Sequence, residues 1–185
     1  MPITPFQKEL VRHHHALGAN DRQIAAAADI SLSSVKRVRQ EFGLSTTCPV
    51  NLRGRIGERL VAEAARQRGL KVELRPANGT EYDLRIQDLR VDVKAAAPSP
   101  GGTWRFRLPD ERASFFGQYT YAKDYEQDAD LIVLAAMNST DTDADLHILP
   151  SHSLPTHVLI RPGSSSDVHL NAWHLFPASA TPLSA

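Results

Sequence analysis

An α/β fold, with a mixed β-sheet flanked by helices and a separate three-helix module in front of it, is what this sequence predicts. Three observations lead there. Stretches with period-two alternation, at residues 71–75, 82–95 and 104–108, stand between patterns of helical spacing. An unbroken apolar run from Leu131 to Met137 has the composition of a strand buried on both faces. Residues 5–42 break into three helical segments, each with its own start and stop signals.

Of the 185 residues 42% are hydrophobic and 23% charged, the balance of an ordinary globular protein. No apolar run approaches the roughly 18 residues of a membrane span, and the N-terminus lacks a signal-peptide core, so no membrane partner is expected. The single Cys48 excludes an internal disulfide framework and a cysteine-built zinc site, and it agrees with a reducing cytoplasm. Net charge is zero but unevenly spread: residues 1–75 hold thirteen Lys/Arg against seven acids, while acids gather at 124–130 and 141–145. A basic front half on a neutral chain is the asymmetry expected where one region meets phosphates.

In the first module, Thr4 and Pro5 begin a helix that ends at Gly18. Asn20 or Asp21 caps a short Ala-rich helix to Ala28. Asp29 and Ile30 turn the chain, and Ser31 caps a third helix, Leu32 to Phe42, stopped by Gly43. Ile24, Ala25, Ile30, Val35 and Val38 form the expected shared core. The segment from Arg22 to Arg37 resembles a helix-turn-helix DNA-binding motif of the recombinase or transposase-regulator type. That resemblance implies that Ser33, Ser34, Lys36 and Arg37 project toward bases and phosphates and that Arg39 meets the DNA backbone. His13, His14 and His15 point about 100° apart on a helix and cannot chelate one ion together. Residues 1–44 are thus read as a DNA-binding module. Residues 45–52 are read as a linker, with Pro49 barring a helix, and 53–176 as the main domain, before a flexible tail at 177–185.

The main domain opens with an amphipathic helix ending at Gly69, with Glu58 in its first turns. Lys71 to Arg75 alternates as a strand with Val72 and Leu74 inward, and Pro76 to Gly79 is a turn. A hairpin follows, with its turn at Gln87 and Asp88. Pairing 86 with 89 places Asp83 opposite Asp92, and Asp92 shares a face with Lys94. Like charges across a sheet are destabilising, so two facing aspartates beside a lysine invite a divalent cation. A strand at 104–108, a helix within 114–126, the buried strand, and edge strands at 146–149 and 157–160 complete the domain.

This order of elements, with Glu58 on the helix, Tyr82 and Asp83, then Asp92, Val93 and Lys94, then the strand after Asp128, resembles the PD-(D/E)XK nuclease superfamily over residues 53–137. Tyr82 stands where the motif name has proline. The resemblance implies a restriction-endonuclease-like fold and a metal-dependent DNA endonuclease, a Mg-dependent deoxyribonuclease. It implies that Asp83, Asp92 and the Val93 carbonyl bind Mg²⁺, with Mn²⁺ as a substitute. Lys94 would orient or deprotonate the attacking water, and Glu58 would contact the metal or its waters. Double-stranded or branched DNA is the expected partner, a homodimer the expected assembly, and a nucleoid-associated cytoplasmic protein the expected setting. The alternatives are a non-catalytic DNA-binding regulator with a nuclease-like domain as dimerisation scaffold, an RNA-directed nuclease, and a plain cross-strand charge ladder at the hairpin.

Overall fold

Three capped helices open the chain in the computed structural model, which describes residues 2–75, 81–113 and 119–177. Helix α1 spans Pro5–Ala16, with Thr4 and Gln7 closing a capping box at its start. Helix α2 spans Asp21–Ala28, capped by Asn20, and ends at Asp29 in the left-handed region. Helix α3 spans Leu32–Glu41, with the Ser31 side chain accepting from the Ser34 amide. Val11, Ile24, Ala28, Val35 and Val38 are fully or almost fully buried together, so α1 contributes more of this core than its spacing suggested.

Two compact units are present, Met1–Leu52 and Arg53–Ala185. The boundary falls in the first turn of helix α4, Pro49–Gln67. Pro49 starts this helix instead of blocking it: its missing N–H is no loss in a first turn, and the Leu52 amide donates to the Cys48 carbonyl. The helix therefore begins inside the expected 45–52 linker. The rest of that segment is tied to the helical unit, the Thr47 hydroxyl donating to the Ala19 carbonyl at 2.6 Å.

In the second unit a five-stranded mixed sheet has the order β1-β2-β3-β7-β8. Strands β1 (Val72–Leu74), β2 (Leu84–Ile86) and β3 (Leu89–Ala96) form an antiparallel meander, β7 (Leu131–Met137) runs parallel to β3, and β8 (Ala144–Pro150) returns antiparallel. Alternation decides the two faces. Leu84, Ile86, Val91, Val93, Val133 and Ala135 turn to α4, where Val61, Ala62 and Ala65 meet them. Ile132, Leu134 and Ala136 turn to the other side. Gly57 lets α4 come this close, since a Cβ there would lie 2.7 Å from the Ala95 Cβ. Strand β1 is a short edge, and Leu74, expected inward, is 67% exposed.

A parallel β3–β7 pair needs a crossover, and here it differs from the expected helical layer. Strand β4 (Trp104–Arg107) pairs with β9 (His157–Ile160) as a separate ribbon, whose Phe106 and Ile160 cover the second face. Strands β5 (Glu111–Ala113) and β6 (Thr120–Ala122) form a second ribbon. The only helix described in the crossover is α5, four residues at Tyr125–Asp128. Thr120 and Tyr121 favour extended chain, and the ladder partner at 111–113 draws them into it. The turn expected at 76–79 and the core of the expected helix, 114–118, lie outside the described residues, as does most of the expected tail. Among the described residues no helix is long and apolar enough to cross a membrane.

Candidate active site

The candidate site is built where strand β2 stops. The paired register Leu84↔Val91, Arg85↔Arg90, Ile86↔Leu89 stops one residue short of the expected Asp83–Asp92 pair: Asp83 lies in a bend, and its amide donates to the Val91 carbonyl at 2.9 Å. The turn that fixes it has Gln87 and Asp88 both at positive φ (50° and 66°), a type I′ geometry reached without glycine. At Asp83 the regular ladder ends: its carboxylate Oδ2 accepts the Val93 amide at 2.9 Å, a place a continued strand would fill with a backbone carbonyl. In extended chain the N–H and C=O of one residue point to the same strand edge, so the Val93 carbonyl looks toward the same region as Asp83.

Asp92 is only 3% exposed, a buried carboxylate that needs cationic or hydrogen-bonding partners. It has two. Lys94 Nζ contacts its Oδ2, and Lys123 Nζ lies 3.0 Å from its Oδ1. Lys123 follows strand β6; its ammonium also donates to the Glu81 carbonyl at 2.8 Å and lies 3.4 Å from Asp128. Both ammonium groups sit near the Tyr125 ring, at 5.6 Å for Lys94 and 4.9 Å for Lys123. Arg75 reaches Asp83 at 3.4 Å from the rim of an open cleft that these residues line. The charge-ladder alternative loses Arg90, whose guanidinium pairs with Asp130 and holds that carboxyl below the usual range.

Electrostatics mark Asp83. Burial and the neighbouring Asp92 push the Asp83 carboxyl up, against the Val93 amide, Lys94 and Arg75. Burial and Asp83 likewise raise Glu58, and burial with Asp92, Asp128 and Asp83 raises the Tyr125 phenol. The folded chain thus holds the Asp83 proton more tightly than the unfolded chain does. Stability from this group is present at acid pH and is lost as pH rises from the ordinary aspartate value of 3.8 through the raised one. Asp83→Asn keeps an oxygen for the Val93 amide and removes the repulsion. Its metal-free stability at neutral pH should match or exceed wild type by about 0.5–1 kcal/mol, with a weaker acid-range slope, in denaturant titrations at several pH values. A clear loss of stability at neutral pH would contradict this account.

Glu58 feels the charge of Asp83 but does not join it. Among the described residues no three of His, Cys, Asp and Glu gather into a group that could hold a metal ion. Asp83 and Asp92 line the same cleft, with the Val93 carbonyl on the same edge; the set is all hard oxygen and suits an ion that keeps several waters, as Mg²⁺ does. Lys123 and Tyr125 were not singled out from the sequence. Read with period two, Tyr119, Tyr121 and Lys123 form an extended stretch, and Asp124 caps the short helix after it; those were the available signals.

In the first unit, Ser33 and Ser34 cluster with Ser31, Arg37 is exposed beside Ser34, and Lys36 is half-buried. Arg39 departs from the expectation. Its guanidinium pairs with Asp21 of α2 at 2.7 Å and donates to the Leu44 carbonyl, with only 12% of the side chain exposed. It ties α2 to the end of α3 and is not presented for a DNA backbone.

No protein-family profile and no curated protein matches the sequence. Among solved structures, the bacterial homing endonuclease I-Ssp6803I matches with a TM-score of 0.54 at 19% identity, over 69% of this chain and 92% of that one. The chain shares its fold with an endonuclease. At that identity the likeness is one of fold, and chemistry must be argued from the residues of this chain.

Proposed function

We propose that this protein is a metal-dependent DNA endonuclease of the PD-(D/E)XK type, with residues 1–44 as a helix-turn-helix module that locates DNA. The observation that carries the reading is the convergence of Asp83, buried Asp92 and Lys94 in one cleft, on a nuclease-like fold. Asp83, Asp92 and the Val93 carbonyl would hold one face of a Mg²⁺ or Mn²⁺ ion. Such a cation polarises a scissile phosphate and lowers the pKa of bound water.

The protein's own groups do the rest. Asp92, fixed by Lys123 and screened by Tyr125, keeps its carboxylate aimed without reorganisation. Lys94 is the less buried of the two lysines, and its ammonium can turn from Asp92 to a phosphate oxygen or attacking water. Arg75 at the rim offers a second positive charge to the DNA backbone. Glu58 stays outside this set.

The test is incubation of supercoiled plasmid, linear duplex and four-way junction DNA with Mg²⁺ or Mn²⁺, and the same with chelator. Cutting that needs the ion and disappears in Asp92→Asn supports the proposal. DNA binding with no cutting of any substrate would favour the non-catalytic regulator.

For the first module, Lys36 and Arg37 on α3 are the DNA-facing pair, without Arg39. A Lys36→Ala/Arg37→Ala double variant should bind duplex DNA more weakly, and its log Kd against log salt should flatten by about 2 if each side chain neutralises one phosphate. An unchanged slope in fluorescence anisotropy would remove this role.

A further inference from the structure

Two lysines share one aspartate here, and they are held differently. Lys94 has Asp92 and, 5.6 Å from its ammonium, the centroid of the Tyr125 ring, and 28% of its side chain is exposed. Lys123 is 8% exposed and sits among three oxygens: Asp92 Oδ1 at 3.0 Å, the Glu81 carbonyl at 2.8 Å and Asp128 Oδ2 at 3.4 Å. Two carboxylate oxygens and a carbonyl are the ligand types a hard divalent cation selects. In two-ion sites the cations lie about 3.5–4 Å apart and commonly share a carboxylate, one oxygen to each. On Asp92 one of those oxygens already faces a buried ammonium.

We propose that the Lys123 ammonium is a built-in substitute for a second metal ion, so that the site takes a single divalent cation, between Asp83 and Asp92 Oδ2. This rests on the metal-dependent reading above. Lys94, the looser of the two, would yield Asp92 Oδ2 to the ion, and Lys123 would stay in place. Lys123 is then a positioning residue: it holds Asp92 oriented and supplies fixed positive charge where a second cation would sit. Removal of the ammonium in Lys123→Met, which keeps the side chain out to Cε, leaves Asp92 Oδ1, Asp128 and the Glu81 carbonyl as a second oxygen-lined position.

The experiment counts bound Mn²⁺ on the full chain, without DNA, from the electron paramagnetic resonance signal of the free ion. Wild type is expected to bind one Mn²⁺ per chain, Asp92→Asn none, and Lys123→Met two. Two ions on wild type overturn the inference, as does a folded Lys123→Met that still binds one. No ion on wild type overturns the metal-dependent reading itself and this inference with it. Circular dichroism establishes whether Lys123→Met is folded; where it is not, the wild-type count decides alone.

Discussion

Lys94→Met should cut DNA about 10²–10⁴-fold more slowly than wild type, the range expected when a general acid–base or charge-stabilising group is removed. The methionine keeps most of the alkyl stem and removes the ammonium, which lies 5.6 Å from the Tyr125 ring centroid. Asp92 retains Lys123 as a partner at 3.0 Å, so its buried carboxylate is not orphaned and the fold should survive. Ion binding should therefore persist, or tighten, as a competitor for Asp92 Oδ2 is gone. Single-turnover plasmid cleavage beside Mn²⁺ counting reads both effects. A variant that cuts within a few-fold of wild type would remove Lys94 from the chemistry.

The second large effect is on stability. Gly57→Leu should destabilise the second unit by about 3 kcal/mol, at the upper end of what overpacking a tight contact costs. A Cβ at 57 already lies 2.7 Å from the Ala95 Cβ and 3.7 Å from Val93 Cγ1 and the Ala135 Cβ. An alanine methyl cannot rotate away, so relief requires α4 to lift or β3 to shift. Strand β3 also carries Asp92 and Lys94, hence the same substitution should lower activity even where the protein remains folded. Chemical denaturation followed by circular dichroism measures the loss, and a change below about 1 kcal/mol would show that the helix–sheet contact is looser than described.

The features legible in the sequence were those governed by local chemistry. The β2–β3 hairpin followed from strict alternation on both arms, because a slip of one residue would have turned Leu84, Ile86, Val91 and Val93 to the wrong face. Its turn carried no Asn-Gly or Gly signal, yet Gln87 and Asp88 adopt the required positive φ because the register on both arms leaves them no alternative. Helix caps at Thr4, Asn20 and Ser31 were equally local.

Tertiary partners were not legible. Arg39 looked like a free cation, since nothing near it in sequence announces that Asp21, 18 residues earlier, will face it. Pro49 is ambiguous by nature: the same ring that ends a helix is well suited to begin one. Lys123 was hidden by the path of the crossover. Its place beside Asp92 depends on β6 pairing with β5, where Glu111 and Ala113 carry little strand preference of their own.

The measurement that bears most directly on the account is cleavage of supercoiled plasmid by the wild-type chain and by Asp92→Asn, each with Mg²⁺ and with chelator, at protein concentrations where both bind DNA. Nicked or linear product only for wild type with Mg²⁺ is the predicted result. Product that survives chelation or the Asp92→Asn change, or none from wild type on any DNA substrate, would contradict it.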